Sequence, residues 1–558
     1  MSKLPKIFGD GRAAGIGLVA ALAVGQAVAV GAAAFATRDV FAAFNIPGAD
    51  LPVGALALII ASGVAIAVLR VGERQAGESV GQAYAASVRK TLFCHLTRMP
   101  ASAVSQRRSG GLALRFVGDL TAVRSWVSMG VARIISTAIV LPGALIALII
   151  LDPALAMAAA LPLTFSLGVM ALLAPRLKPL HRRLRGRRAR LAADMIERIP
   201  VAPELRLLGR DQQETQRLDK SARSLRDAAV ARARASAVLK SVPEIGASAA
   251  GVALLATAFV SGARAAEAAG ALATLSILTL TLRDLAGIWD RRHAWEVARD
   301  KCRAILESPV LADVPKTASD DSVGPASVRF ENVCSGALYD VIAEAAPGEK
   351  IAIVGPNGAG KSTFLLLAAG LEHPTAGQVS IDDADIRSLS HLQRQQCIVF
   401  VGSRSPVLQG SLRRSLTLGI KPRPDDDTIE KVARSFGLDR VIERLGGLNG
   451  RVSECGRNLS SGEVRRVHLV RASLANPRLL LLDEPDDALD GQGRDYLDRL
   501  FKNTTATTLV VTHDPSLARK ADAIWLVADG MVCAAGGSDD VTSGDGPIAR
   551  FFRPRFVA

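Results

Sequence analysis

The sequence contains, directly after a short apolar run, the nine residues Gly355-Pro356-Asn357-Gly358-Ala359-Gly360-Lys361-Ser362-Thr363. They fit the pattern G-x-x-x-x-G-K-[ST], in which glycines let the backbone wrap until consecutive N–H groups and a helix N-terminus point at phosphate oxygens. Lys361 would reach the outer phosphates of a nucleotide, and the Ser362 hydroxyl would take a position on Mg²⁺. The residues before the pattern are strand-like and those after it are helix-like. The sequence therefore predicts a phosphate-binding loop at 355–363.

Two further strand-like runs end in polar residues. Residues 479–482 are four leucines followed by Asp483 and Glu484, and residues 508–511 are followed by Thr512 and His513. A carboxylate at a strand tip can hold Mg²⁺ through water, and its neighbour can polarise an attacking water. A histidine at the same sheet edge can contact the γ-phosphate. We therefore predict Glu484 and His513 as catalytic residues and Asp483 as a metal ligand.

A short turn precedes a basic helix twenty residues before the acidic pair. It reads Leu459-Ser460-Ser461-Gly462-Glu463. A serine and glycine turn at a helix N-terminus is a potential anion site. Taken alone, the pattern is a weak signal, and an ordinary capped helix is the default interpretation.

Together these motifs resemble an ATP-binding cassette (ABC) domain. In that resemblance 355–363 is the Walker A motif, 479–484 is Walker B with its catalytic glutamate, and His513 is the switch histidine. The signature L-S-G-G-Q corresponds to 459–463, and the D-loop corresponds to Asp487 and Asp490. The resemblance implies an α/β P-loop nucleoside triphosphatase domain at 327–558 that binds ATP and Mg²⁺ and hydrolyses ATP.

Several positions depart from the family pattern. Ser403 stands where the family has its Q-loop glutamine, and Gln409 follows six residues later. The aromatic residue that stacks on adenine has no clear equivalent, because Tyr339 is too close to the phosphate loop. In the signature, Ser461 replaces a glycine and Glu463 replaces a glutamine. These departures predict weak adenine stacking and altered coupling, while the hydrolytic residues are intact.

The first half of the chain has a different composition. Of the 558 residues, 49% are apolar although 22% are charged, which suggests a membrane part joined to a soluble part. A bilayer-crossing helix needs about 17–25 apolar residues. Six runs of suitable length occur, at about 13–36, 51–71, 134–151, 154–174, 242–260 and 268–288. We expect an all-α six-span membrane domain at 1–305, whose helices continue into the cytoplasm, and a linker at 306–326.

The arginines and lysines predict the orientation of these helices. The long loops after the second and fourth runs are rich in basic residues, whereas the loops after runs one, three and five offer only Arg38 and Arg264. Positive residues stay on the cytoplasmic side. The sequence thus predicts a multi-pass protein of the cell (inner or plasma) membrane, with an uncleaved N-terminal anchor and with the cassette and both termini in the cytoplasm. Segments 106–119 and 199–214 resemble the two cytoplasmic loops of type I ABC exporters.

Other function classes fit the composition poorly. The net charge of +15 is explained largely by the membrane flanks, and aromatic residues are only 4% of the chain. Few stacking platforms are therefore available, and we expect no nucleic-acid partner. The six cysteines are far apart and form no C-x-x-C pair, which argues against a cysteine metal site and a disulfide scaffold.

The resemblance also implies a partner. One chain carries one Walker A motif and one signature, and in this family each ATP lies between the Walker A of one cassette and the signature of the other. We therefore expect a dimer of half-transporters in the lipid bilayer, and the departures favour a heterodimer over a homodimer. The predicted function is ATP-driven export of a small-molecule, peptide or lipid-like substrate. An importer on the exporter fold, a regulatory subunit of a heterodimer and a membrane-tethered ATPase are the alternatives. The spans carry no charged residue in mid-span, which fits an amphipathic cargo.

Overall fold

The computed structural model describes residues 4–553 apart from 45, 47–49, 108–111, 113–114, 312–322, 403–404, 488, 538–539 and 541–545. The chain divides into two compact units. One contains the residues up to 97 together with 105–308, and the other contains 98–104 and the residues from 309 onward.

The N-terminal part of the chain is helical. Its α-helices are α1 (Arg12–Ala43), α2 (Val53–Leu96), α3 (Ala101–Ser105), α4 (Leu120–Trp126), α5 (Ala132–Leu151), α6 (Pro153–Leu173), α7 (Leu177–Arg198), α8 (Ala202–Leu207), α9 (Asp211–Ser261) and α10 (Ala265–Leu306). Short π-helical turns at Arg115–Asp119 and Val127–Val131 flank α4. One-turn 3₁₀ segments at Ala174–Arg176 and Ile199–Val201 precede α7 and α8.

Six helical stretches among the described residues are long and apolar enough to cross a membrane. They are Arg12–Ala43, Val53–Leu96, Phe116–Leu151, Pro153–Leu207, Asp211–Ser261 and Ala265–Leu306. The expectation of six spans is confirmed, and the chain is a multi-pass membrane protein. Each helix is longer than its apolar run. The run at 51–71, for example, fills only the first half of α2.

Small residues and ion pairs hold the helical unit together. A Cβ at Gly246 on α9 would lie 2.5 Å from the Ser166 Cβ on α6, so a glycine is required for these helices to approach this closely. Outside the apolar runs, ion pairs also join the helices. Arg185 on α7 contacts Asp119 at 2.9 Å, and the His181 Nε2 atom lies 2.7 Å from the Asp290 carboxylate on α10.

The second unit is α/β. Its strands are β1 (Val328–Ser335), β2 (Leu338–Ala345), β3 (Lys350–Val354), β4 (Ala376–Ile381), β5 (Ala384–Asp385), β6 (Ile398–Val401), β7 (Gly410–Ser411), β8 (Arg451–Val452), β9 (Leu479–Asp483), β10 (Thr507–Val511), β11 (Ala523–Ala528) and β12 (Met531–Gly536). Its helices are α11 (Lys361–Ala368), α12 (His391–Cys397), α13 (Leu412–Leu416), α14 (Asp426–Ser435), α15 (Asp439–Leu445), α16 (Ser461–Ala475), α17 (Gly491–Asn503), α18 (Pro515–Ala518) and α19 (Pro547–Phe552).

The main sheet has the strand order β12-β11-β3-β10-β9-β6 and is parallel except for its β11–β12 edge. Its central strands are buried on both faces, as continuous apolar runs require. On β9, Leu480 and Leu482 pack into one hydrophobic core, and Leu479 and Leu481 pack into the core on the opposite face. The run of four leucines is therefore explained by two cores that share one strand.

A smaller antiparallel sheet has the order β2-β1-β4-β5. Strands β1 and β2 form a tight hairpin in which Ser335 pairs with Leu338, so that only Gly336 and Ala337 make the turn. Residues 98–104, which belong to this unit, contact it through the backbone. The Ala101 N–H donates to the Leu371 carbonyl at 2.9 Å.

Candidate nucleotide site

Three neighbouring strands end at the same level of the main sheet. Val511 on β10 pairs with Ile353 on β3 and also with Asp483 on β9. The phosphate loop follows β3, the acidic pair closes β9, and Thr512 follows β10. Three motifs that are far apart in the sequence therefore meet at the carboxyl edge of one parallel sheet, where α/β proteins bind ligands.

The loop from Gly355 to Gly360 wraps tightly before α11 begins at Lys361. Gly360 has φ +102°, and a Cβ at this position would lie 2.6 Å from the Leu338 Cδ2 atom of the β1–β2 hairpin. Gly355 leaves no room either, because its Cβ would lie 2.0 Å from the Val527 carbonyl oxygen. The glycines thus let the backbone approach its neighbours, and the free N–H groups at the start of α11 can bind an anion.

Lys361 lies back over its own loop. Its Nζ donates to the Gly355 carbonyl at 2.8 Å and to the Pro356 carbonyl at 3.0 Å. The residue is only 6% exposed. Burial lowers the pKa of Lys361, and the nearby carboxylates of Glu484 and Asp483 act in the opposite direction. The ammonium group is therefore in place beside the phosphate loop.

The Ser362 hydroxyl donates to the Asp483 Oδ1 atom at 3.1 Å. Burial raises the pKa of Asp483 and the neighbouring Glu484 adds to the rise, while the Ser362 hydrogen bond and Lys361 oppose it. A hydroxyl and a carboxylate are hard oxygen ligands of the kind that Mg²⁺ prefers, so the pair fits the predicted metal position.

Glu484 and His513 face each other at the ends of β9 and β10. The His513 Nε2 atom lies 3.7 Å from the Glu484 Oε1 atom, and both side chains are nearly half exposed. Glu484 has φ +48°, a left-handed conformation that is uncommon for a non-glycine residue. Its backbone N–H donates to the Val511 carbonyl at 3.0 Å, which fixes this turn to β10. Such strain is typical of functional positions.

A partly buried polar pair supports this edge of the sheet. The Thr512 Oγ1 atom lies 3.2 Å from each oxygen of the Asp486 carboxylate. It also accepts the Asp514 N–H at 3.0 Å. Burial raises the pKa of Asp486, and the Thr512 hydrogen bond opposes the rise. Sequence patterns did not single out Asp486, because only the pairing of β9 with β10 brings the two residues together.

The D-loop residues have local roles in the structure. The Asp487 N–H donates to the Glu484 carbonyl at 3.2 Å, which continues the turn after β9. Asp490 is the N-cap of α17, and its side chain accepts the Gly493 N–H at 2.7 Å. His513 has a neighbour that the sequence did not indicate, since its ring centroid lies 6.2 Å from that of Phe551 on α19.

The signature-like segment forms a capping box at the start of α16. The Ser460 Oγ atom accepts the Glu463 N–H, and the Glu463 carboxylate accepts the Ser460 N–H at 2.8 Å. Arg444 also donates to this carboxylate at 2.9 Å. Burial would raise the pKa of Glu463, but the hydrogen bonds from Arg444 and Ser460 outweigh it and lower the pKa. Among the described residues, no hydrogen bond or ion pair joins 459–463 to the phosphate loop.

Two expected departures behave differently in the structure. Ser403, the predicted Q-loop position, lies outside the described residues. The structure explains why an adenine-stacking aromatic residue is missing. The turn between β1 and β2 has only two residues and offers no loop that could carry one. Tyr339 lies on β2 itself, is 63% exposed, and its N–H donates to the Gly530 carbonyl.

Two parts of the chain match described protein families. Residues 17–282 match the ABC transporter transmembrane region. Residues 338–487 match the ABC transporter family and include the phosphate loop, the signature-like segment and the acidic pair. The two matches are fused in one chain, as expected for a membrane domain followed by a cassette.

Curated relatives are similar over part of their length. The chain is 32% identical over 301 residues to the mycobactin import ATP-binding/permease protein IrtB of Mycobacterium tuberculosis, an alignment that covers 52% of each protein. It is 32% identical over 260 residues to the beta-(1→2)glucan export ATP-binding/permease protein NdvA of Agrobacterium fabrum, covering 45% of this chain and 44% of the relative. The matched part thus spans about half the length of these relatives, whose names give opposite directions of transport.

One solved structure resembles the chain over nearly its whole length. It is described as a bacterial Atm1-family ABC exporter with ATP bound, with a TM-score of 0.85, 21% sequence identity and 97% coverage of both chains. This likeness concerns the fold. It confirms the expected fold class, a six-span helical membrane domain followed by an α/β cassette.

Proposed function

Because this chain belongs to the ABC transporter family and has the exporter-type fold of a half-transporter, we propose that it uses ATP hydrolysis to export an amphipathic or lipid-like substrate across the membrane. The observation that carries the proposal is the convergence of Lys361, Ser362, Asp483, Glu484 and His513 at one sheet edge. The cassette is fused to a six-span helical unit, and this supports the proposal that ATP hydrolysis drives transport.

Each residue has a proposed role in ATP hydrolysis. The loop 355–363 cradles the phosphates, and Lys361 neutralises their charge. Glu484 accepts a hydrogen bond from the attacking water and orients it, while His513 contacts the γ-phosphate. Mg²⁺, held by Ser362 and Asp483, would supply further charge neutralisation when bound.

We further propose that the active unit is a dimer. The segment Leu459–Glu463 in this chain would cover the ATP bound to the partner, and the partner's equivalent segment would cover the ATP bound at this chain's loop. The absence of a signature contact to the phosphate loop among the described residues supports this arrangement. Closure of the two cassettes on ATP would switch the membrane helices between inward-open and outward-open states.

The proposed location is the cell (inner or plasma) membrane, with the cassette and both termini in the cytoplasm. Its support is the asymmetric distribution of arginine and lysine around the six spans. The proposed domain limits are 1–305 for the membrane domain, 306–326 for the linker and 327–558 for the cassette.

Import is the second candidate function. The observation that favours it is the 32% identity to a relative named for mycobactin import. A regulatory role within a heterodimer is the third candidate, and the β1–β2 hairpin without an adenine-stacking residue favours it.

Transport direction in inside-out membrane vesicles tests the proposal. The readout is ATP-dependent change in vesicle content, identified by mass spectrometry, with Glu484→Gln as the hydrolysis-deficient comparison. Accumulation inside the vesicles supports export, and depletion of preloaded vesicles supports import. An ATPase that moves nothing in either direction would contradict a transport function.

A further inference from the structure

Charged side chains line a cavity of about 380 Å³ at the surface of the helical unit. The cavity is lined by four arginines and two carboxylates, which are Arg70, Arg74, Arg133, Arg291, Glu73 and Asp284. It lies where the apolar run of α2 ends, so that a polar chamber adjoins the membrane-spanning part of the helix. Arg70 and Arg74 are exposed beside it, whereas Glu73 and Ser128 are buried.

The two carboxylates already have partners. Glu73 is only 5% exposed and accepts hydrogen bonds from Gln26 at 2.7 Å, from Ser136 at 3.2 Å and from Arg133 at 3.2 Å. Arg133 also forms an ion pair with Asp284 at 3.0 Å. Hydrogen bonds and ion pairs therefore join Glu73, Arg133 and Asp284 in one network. This network fixes one wall of the cavity.

The other three arginines that line the cavity are Arg70, Arg74 and Arg291. Within the part of the chain that the structure describes, no carboxylate lies within 4 Å of Arg70, Arg74 or Arg291. Among the described residues, the only hydrogen-bond contact of the Arg291 side chain is a long one, 3.9 Å, to the Met129 sulfur. Ser128, which also lines the cavity and is 5% exposed, has no hydrogen-bond partner for its hydroxyl among the described residues. The cavity thus offers unused donors and an excess of positive charge.

Unused guanidinium groups and a buried hydroxyl suit an anion. Arginine donates paired hydrogen bonds that match the geometry of phosphate and carboxylate groups. Apolar side chains also line the cavity, among them Val71 and Met129, and they can contact an attached hydrocarbon part. The recognised chemistry is therefore an anionic head joined to an apolar body.

We propose that this cavity binds the phosphate or carboxylate head of the transported amphiphile. The inference rests on the transport function proposed above and names the charge class of its cargo. Arg70, Arg74 and Arg291 bind the head, and Glu73 with Arg133 holds the wall behind it. The apolar spans suggested an amphipathic cargo, and the cavity adds that its polar end is negatively charged.

Equilibrium binding without nucleotide tests this proposal independently of ATP hydrolysis. The full chain in phosphatidylcholine nanodiscs is titrated with dihexanoyl phosphatidate or with dihexanoyl phosphatidylcholine, which share the apolar part. Tryptophan fluorescence reports binding, since three of the four tryptophans (Trp126, Trp289 and Trp295) lie in the helical unit. We expect phosphatidate to bind at least tenfold more tightly than phosphatidylcholine.

The triple variant Arg70→Gln/Arg74→Gln/Arg291→Gln should lose at least tenfold of the phosphatidate affinity. A matched control, Arg182→Gln/Arg188→Gln/Arg190→Gln, removes three exposed arginines of α7 and should bind as the unchanged protein does. Should the triple variant fail to fold by gel filtration, the single variants Arg74→Gln and Arg291→Gln should each weaken binding at least threefold.

Inorganic phosphate as a competitor separates two sources of the anion. Displacement of phosphatidate by phosphate would support the head alone as a sufficient ligand, and no displacement would support a lipid-like ligand that needs its apolar part. Equal affinity for the two lipids, or undiminished phosphatidate binding in the folded triple and single variants, would overturn the proposal. If the unchanged protein binds phosphatidate as expected but has no ATPase activity, only the transport function is contradicted.

Discussion

The Ser362 hydroxyl and the Asp483 carboxylate lie 3.1 Å apart although 121 residues separate them in the chain. The register of the main sheet explains this contact, because β3 and β9 both pair with β10 and end at the same level. The phosphate loop and the acidic pair are therefore placed by backbone hydrogen bonds between buried strands. The first two predictions concern residues on either side of this contact.

Glu484→Gln should lower ATP turnover at least tenfold while ATP still binds. The amide keeps the shape of the side chain but removes the negative acceptor that orients water. Steady-state hydrolysis and nucleotide binding are measured on the purified protein. Glu443→Gln, at an exposed site of α15, is the matched control and should leave both unchanged. Near-normal hydrolysis by Glu484→Gln would remove this residue from catalysis.

Lys361→Ala should weaken ATP binding itself. The variant removes the ammonium group that lies over the Gly355 and Pro356 carbonyls and with it the main positive charge at the loop. Titration with a fluorescent ATP analogue measures the loss, and Lys431→Ala, at an exposed position of α14, serves as the control. Unchanged affinity in Lys361→Ala would contradict the phosphate-loop assignment.

Thr512→Val should destabilise the cassette by about 1–3 kcal/mol, because Asp486 and the Asp514 N–H each lose a buried hydrogen-bond partner. Hydrogen exchange of the β9 and β10 amides in the full chain measures the change. The exposed Thr505→Val offers the same chemical substitution without that loss. Equal protection in the two variants would mean that the Thr512–Asp486 pair does not support the site.

Acid should destabilise the cassette through His468. Burial, together with Arg471 and Arg465, lowers the pKa of His468 on α16 to about 4. Its two ring nitrogens have no hydrogen-bond partner among the described residues. The unfolded chain binds a proton near pH 6.5 and the folded chain does not, so stability falls as pH drops from about 6.5 towards 4, by about 1.4 kcal/mol per pH unit.

His468→Leu should remove this part of the acid sensitivity. Exchange of cassette amides, corrected for the intrinsic pH dependence of exchange, is compared at pH 7.5 and pH 5.5 in both proteins. Above pH 6.5 this titration has no effect on stability in either protein. An unchanged difference between the two pH values in the variant would show that other groups cause the acid sensitivity.

The tight β1–β2 hairpin predicts a weak ATP site in this chain. Base–aromatic stacking is worth roughly 1–3 kcal/mol, so its loss should weaken ATP affinity by about one or two orders of magnitude. This defect would be tolerable if a second, different half-transporter supplied a complete ATP site. We therefore expect a heterodimer. Expression of this chain alone, with ATPase activity measured against protein concentration, decides the matter. Robust, substrate-stimulated hydrolysis by a pure homodimer would contradict the expectation.

Structural features that are encoded by contiguous residues could be predicted without the structure. The phosphate loop is a contiguous pattern whose glycines, lysine and serine act through local backbone geometry, and the strand and helix around it are equally local. The six apolar runs follow from length and composition, because a bilayer sets the length of each span. The capped-helix reading of 459–463 was likewise available from the spacing of Ser460 and Glu463.

The sequence by itself thus determined the two kinds of domain and the residue types of the nucleotide site, because short-range patterns encode both. Only the tertiary structure decided which distant groups become neighbours. Strand pairing brings Thr512 to Asp486, chain folding brings Arg444 to Glu463, and helix packing gathers the arginines around Glu73. Long-range contacts of this kind depend on register and packing between elements, which no local pattern specifies.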